Sequence, residues 1–167
     1  MSHRLVLFCG PLPALVALRG DARDCRIFEI GGTFPVLPVE GVARGPNLPG
    51  ATWNGPDEQD ETPSLLPFDV AFVAGASRCG PIAYVETEYF GGEGRQSAAL
   101  WRDGVLVMDL VTESDRPVHE GSPINRALRG LGVMARDCCD EFSIQGLAGY
   151  RSNSDIFTGA VECAPVG

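Results

Sequence analysis

Two glutamates, Glu86 and Glu88, are separated by a single residue in the segment IAYVETEYF. Aromatic and β-branched residues alternate in this segment, which predicts a β-strand over residues 82–90. Residues two apart on a strand project from one face, so both carboxylates are expected opposite the core-facing Ala83 and Val85. Such a pair can bind a metal, share a proton or meet an arginine of a partner, and a solvated sheet face is the structural alternative.

The glycine-rich stretch that follows, YFGGEGRQ at residues 89–96, shares part of a dinucleotide-binding fingerprint. That motif requires a helix after the glycine turn, whereas this pattern predicts another strand, and Glu93 places negative charge where a phosphate would lie. A P-loop is excluded because the chain contains no lysine. Gly91, Gly92 and Gly94 therefore indicate a bulge or wide turn, or a backbone surface that a partner approaches closely.

Cysteine and histidine chemistry has little support in the spacing of these residues. A nucleophile at Cys138 or Cys139 would lie beside Asp137 and Asp140, whose negative charge disfavours a thiolate, and His119 is the candidate base. The six cysteines include no CxxC pair, so we expect reduced cysteines and neither structural zinc nor a disulfide framework. The sequence predicts no catalytic residues, no metal and no other cofactor.

The charge balance restricts the class of partner. The net charge is −9 and the pI is about 4.6, which argues against binding to nucleic acid or to an anionic membrane surface. All thirteen basic residues are arginine, which excludes a lysine nucleophile or Schiff base. Negative charge suits a basic protein partner, and it also maintains solubility without any partner.

The N-terminal residues predict a strand over residues 4–9. Gly10, Pro11 and Pro13 interrupt the apolar run, which is not the pattern of a secretory leader. Since no apolar stretch is long enough to span a bilayer, we expect a cytoplasmic protein.

Local signals predict one α+β domain over residues 1–167, an antiparallel meander sheet packed with two or three helices. Residues 96–101 and 105–110 flank an Arg-Asp-Gly turn, which predicts a hairpin. The clearest helix covers residues 122–131, with Ser122 as N-cap, Pro123 at its first position, an apolar stripe, and Asn125, Arg126 and Arg129 facing away. A helix from near Pro67, a short helix over residues 138–144 and then an irregular tail complete the prediction.

A long segment rich in proline and glycine, residues 31–67, is expected to form an irregular excursion within the domain. It contains the charge run DEQDE at residues 57–61 and Trp53. The tryptophan is either an interface anchor or packs the loop onto the body. The stretch FPVLPVEGV is predicted to add an edge strand.

The segments YVETEYFGGEGRQSAALWRDG, SPINRALRGLGV and DEFSIQGLAGYRSN, within residues 80–153, resemble a family of small bacterial proteins. Such compact acidic proteins are similar to immunity proteins, which bind and block a cognate toxin. The resemblance implies a neutralising role and assigns no catalytic residue.

The leading hypothesis is therefore an immunity-type inhibitor that binds a basic toxin domain through an acidic surface. One alternative is a small enzyme with a carboxylate or cysteine site near the glycine turn. The other is a structural subunit of a larger assembly. The predicted partner-binding residues are Glu86, Glu88, Glu93, Trp53, Asp57, Glu58, Asp60 and Glu61.

Overall fold

A computed structural model of the chain describes residues 2–20, 25–39, 70–90, 93–114 and 116–164. It contains a seven-stranded antiparallel sheet with helices on both faces, which confirms the predicted α+β class. The strands are β1 Ser2–Cys9, β2 Phe28–Glu29, β3 Val36–Pro38, β4 Ile82–Phe90, β5 Glu93–Arg102, β6 Val105–Ser114 and β7 Val161–Glu162. The helices are α1 Leu12–Arg19, α2 Val70–Ala76, α3 Pro123–Leu131, α4 Glu141–Ile144 and α5 Asn153–Gly159, with 3-10 turns at Ser77–Cys79 and Leu147–Gly149.

Two apolar cores lie on opposite faces of the sheet, whose strand order is β6-β5-β4-β1-β3-β2-β7. Strand β1 contributes to both cores because its side chains alternate: Leu5 and Leu7 pack beneath α3, α4 and α5, and Val6 and Phe8 pack beneath α1 and α2. All four side chains are buried. The predicted strand over residues 4–9 is therefore a central strand covered on both faces.

The predicted β4–β5–β6 meander is confirmed. Strand β4 has the predicted bounds, and the β5–β6 turn has positive φ at Asp103 (52°) and Gly104 (83°), as a two-residue type I′ hairpin requires. The Ser77 hydroxyl accepts a hydrogen bond from the Gly104 N–H at 3.0 Å, which ties the turn to the end of α2.

Helix α3 begins and ends at the predicted signals. The Ser122 hydroxyl caps its N-terminus, and Gly132 adopts a left-handed conformation (φ 113°) after its last residue. The expectation that Asn125 faces away from the core is wrong, because this side chain is fully buried. Its amide group bonds to Asp140 and Phe142 at the start of α4, whereas Arg126 and Arg129 are exposed as expected.

Three other expectations need correction. Strand β3 lies between β1 and β2 rather than at the sheet edge, since its pairing with β1 is long-range and leaves no local signal. The predicted helix over residues 138–144 is shorter, because α4 starts at Glu141 after a tight turn with positive φ at Asp137 and Cys138. The predicted irregular tail contains α5 and β7, and α5 starts with a capping box between Ser152 and Asp155.

The central part of the predicted proline- and glycine-rich excursion, residues 40–67, lies outside the described residues. The predicted helix start near Pro67 lies outside them as well, so only Val70–Ala76 of that helix is described. None of the helices in the described ranges combines the length and apolar character needed to cross a membrane.

Candidate partner-binding site

The predicted glutamate pair lies on one face of β4, and Arg95 of β5 lies between the two carboxylates. Arg95 Nη2 is 3.4 Å from Glu88 Oε2 and 3.8 Å from Glu86 Oε1. The Tyr84 hydroxyl donates to Glu86 Oε2 at 2.7 Å. This geometry follows from the strand register, in which Glu88 and Arg95 are directly opposite.

Exposure separates the two glutamates. The side chain of Glu86 is 0% exposed, whereas that of Glu88 is 47% exposed. Glu86 therefore does not lie on a solvated sheet face, and in this fold it offers no carboxylate to an approaching protein. A buried carboxylate is tolerated because a paired charge and a hydrogen bond offset the loss of hydration. Glu88 is the described member of the pair that a partner can reach.

The glycine-rich stretch lies where β4 connects to β5. Strand β5 starts at Glu93, opposite Phe90, and the side chain of Glu93 is outside the described part of the structure. At Gly94, a Cβ atom would lie only 2.1 Å from the backbone oxygen of Glu88 and 2.5 Å from the Tyr89 ring. Gly94 is thus required by close packing between strands, in agreement with a conformational role.

The other predicted contacts lie outside the described residues. They are Trp53, Asp57, Glu58, Asp60 and Glu61, and the predicted turn residues Gly91 and Gly92 lie outside them as well. Their part in binding stays a prediction from sequence.

A second polar group on the opposite sheet face includes His119. Its Nε2 lies 3.0 and 3.2 Å from the two carboxylate oxygens of Glu113, and its Nδ1 accepts the Gly121 N–H at 3.2 Å. Gln96 Nε2 donates to the same carboxylate at 3.3 Å. Because both ring nitrogens are engaged, the arrangement fixes the loop before α3 rather than presenting a free base to a substrate.

Burial shifts the pKa of two side chains near Glu113 and His119. Burial lowers the pKa of His3, whose Nδ1 lies 2.9 Å from the Thr87 hydroxyl. Burial and the charge of Glu113 raise the pKa of Tyr89 to about 12. The Tyr89 hydroxyl donates to the backbone oxygen of Arg116 at 2.8 Å. Both groups stay neutral at pH 7 and serve as hydrogen-bonding parts of the fold.

The candidate cysteine site has no assembled partners in the described structure. Cys138 and Cys139 are exposed, and backbone hydrogen bonds between Arg136 and Cys139 close the turn that contains them. Within the described ranges, no group of three or more His, Cys, Asp or Glu side chains is placed to hold a metal ion.

The distribution of charge differs between the described body and the rest of the chain. Residues 40–69 contain six acidic residues and one arginine, and so carry five of the nine excess negative charges. Within the described residues, four carboxylates form ion pairs with arginine: Glu86 and Glu88 with Arg95, Glu141 with Arg129, and Glu162 with Arg26. A fifth, Glu113, contacts the His119 ring.

Sequence reasoning missed the arginine and the histidine that hold these carboxylates. Arg95 is detectable once the hairpin register is fixed, because a two-residue connection places it opposite Glu88. The contact between Glu113 and His119 depends on the path of the chain after β6 and has no sequence signal. No protein-family model matches the chain, and neither curated proteins nor solved structures give a significant match.

Proposed function

We propose that this protein binds and neutralises a basic protein partner, in the manner of an immunity protein that blocks a bacterial toxin. The observation that carries the proposal is the position of the excess charge. Arg95 lies against the carboxylates on the sheet, while residues 40–69 hold five of the nine excess negative charges. An excess of negative charge attracts a cationic protein and accelerates its association.

The predicted contacts contribute differently in this proposal. The charge run at residues 57–61 supplies carboxylates, Trp53 supplies an aromatic anchor, and Glu88 and Glu93 supply carboxylates near the end of the β4–β5 hairpin. Glu86 has a supporting role because it is buried against Arg95 and Tyr84. Its reversal to arginine would disturb folding and would report nothing about binding.

The test begins with the gene beside this one. If it encodes a large secreted protein, its C-terminal domain is produced alone and together with this chain, and growth rescue is measured with the dissociation constant at low and high salt. We expect rescue and nanomolar-class binding that weakens as salt increases, because screening reduces attraction between exposed charges.

Charge-reversal variants identify the surface. Reversal of Asp57, Glu58, Asp60 and Glu61 to arginine is expected to reduce affinity at least about tenfold and to weaken growth rescue. The matched control is Asp109→Arg, because Asp109 is an exposed acid on β6 outside the predicted set. Tight, salt-independent binding that survives the four reversals would show that the acidic mechanism is wrong.

A further inference from the structure

The face of the sheet that packs against α1 and α2 ends in accessible side chains. Ile82 and Tyr84 of β4 belong to the core on this face, and β4 pairs with β5 in an unbroken register up to Phe90. Strand alternation therefore places Glu88 and Phe90 on the same face. Arg4 of β1 lies directly opposite Glu88 and is exposed. Arg4, Glu88 and Phe90 form what we call the Phe90 surface.

Phe90 is the most exposed of the large apolar side chains that the structure describes, at 73%. A single exposed apolar side chain is common on protein surfaces and needs no partner. The neighbours of this ring are polar, however, because Ser2 of β1 and Glu93 of β5 lie opposite Phe90 and Glu88 precedes it on the same face. The ring belongs to neither described apolar core, so it is open to an aromatic contact with another protein.

The acid-rich residues 40–69 are attached to the fold on this same face. Val39, which precedes them, donates its N–H to the Val6 carbonyl oxygen at 2.8 Å, and Val6 is directly opposite Glu86. Helix α2, which follows them, packs in the same core as Val39. Residues 40–69 carry five of the nine excess negative charges. Phe90 is four residues beyond Glu86 on β4, which corresponds to about 13 Å along the strand.

The longest helix on the opposite face presents positive charge. This face is covered by α3, α4 and α5, and the exposed residues of α3 are two arginines, Arg126 and Arg129. Met134, which is 70% exposed, follows this helix. Like charges repel each other across an interface, so α3 disfavours the approach of a basic protein. An apolar contact at Met134 therefore suits a basic partner less well than one at Phe90.

We propose that the basic partner docks on the Phe90 surface, with the Phe90 ring in an apolar recess of the partner and Glu88 beside one of its arginines or lysines. The existence of a basic partner rests on the proposed neutralising function, whereas the choice of this face rests on the positions of Phe90 and Val39. The charge of residues 40–69 attracts the partner to this face. Burial of the aromatic ring then adds affinity at short range.

The test measures dissociation constants for the full chain and the C-terminal domain encoded by the neighbouring gene, at one fixed salt concentration. Phe90→Ser is expected to weaken binding at least about tenfold, and the equally exposed control Met134→Ser should change it less than about twofold. Arg4→Gln removes a cation from the docking surface and should strengthen binding at least about twofold. Arg126→Gln changes the net charge by the same amount on the opposite face and should have a smaller effect.

Cross-saturation NMR from the protonated partner to the deuterated chain maps the contact directly. Saturation should reach the amides of Glu88 and Phe90 and should not reach those of Arg126 and Met134. Saturation confined to the α3 side, or undiminished binding by folded Phe90→Ser, would overturn the docking assignment and leave neutralisation standing. If the wild-type chain neither binds this domain nor rescues growth, the proposed function fails and the docking assignment fails with it.

Discussion

Replacing the buried Asn125 with alanine is expected to destabilise the fold by about 3 kcal/mol. Asn125 Nδ2 donates to the His119 carbonyl at 2.7 Å and to Asp140 Oδ2 at 2.9 Å, and its Oδ1 accepts the Phe142 N–H at 2.8 Å. The alanine variant leaves the Phe142 N–H without this acceptor, which costs about 1–3 kcal/mol. The two hydrogen bonds that Asn125 Nδ2 donates are also lost, and each loss adds about 0.5–1.5 kcal/mol.

Alanine has the better helix propensity, by roughly 0.5 kcal/mol, and this gain offsets part of the loss. The expected change lowers the melting temperature by about 6–12 °C, because 1 kcal/mol corresponds to about 2–4 °C in a domain of this size. The measurement is urea unfolding at pH 7 followed by circular dichroism. Arg126→Ala, in the next and exposed position of α3, is the matched control and should change stability by less than about 0.5 kcal/mol.

An isosteric variant separates hydrogen bonding from packing. Asn125→Asp keeps an acceptor for the Phe142 N–H, removes the donor, and places a carboxylate where Nδ2 now lies, 2.9 Å from Asp140 Oδ2. Like-charge repulsion should make it unstable at pH 7, and the loss should shrink as pH falls toward 4, because protonation removes one charge. The reasoning is refuted if Asn125→Ala costs no more than Arg126→Ala, or if the Asn125→Asp loss is independent of pH.

Three further predictions concern glycine packing and ionisation. Gly94→Ala should cost about 1–3 kcal/mol in urea unfolding because the new Cβ meets backbone at 2.1 Å. Gly75→Ala in helix α2 should instead stabilise the fold by about 0.5–1 kcal/mol, because nothing lies within 4 Å of the new Cβ. A stability change of the same sign in both variants would contradict this reasoning. The lowered pKa of His3 means that the unfolded state takes up more protons, so stability should fall as pH drops below about 6.5. NMR titration should place the His3 midpoint below that value, and His3→Gln should lessen the pH dependence. For Tyr89, a pKa of about 12 means that stability falls as pH rises above about 10. Glu113→Gln should lower the pKa of Tyr89, measured by carbon-13 NMR titration. An unchanged titration midpoint would reject the contribution of Glu113.

Elements with short-range signals could be predicted from the sequence. The Asp103–Gly104 turn, the Ser122 cap and the Gly132 stop depend on backbone conformations that a few neighbouring residues determine. The capping box of α5 is also visible as a serine three residues before Asp155, although the segment was expected to be irregular. Long-range pairing of β3 with β1 has no equivalent local signal.

The candidate site was only partly predictable for the same reason. Strand alternation places Glu86 and Glu88 on one face, as expected, but their different exposure depends on what covers each end of the strand. The prediction for Asn125 failed because a polar side chain on a helix is usually exposed. Here its bonding partners come from the loop before α3 and from the start of α4.

Asn125 also connects the helical layer to the loop between β2 and β3. It holds the first turn of α4 through Asp140 and Phe142, and Gln145 at the end of that short helix clamps the backbone of Phe34. A four-residue helix is too short to be stable by itself, so its position depends on such side-chain bonds. The buried polar groups in this part of the fold thus set the geometry of an exposed loop.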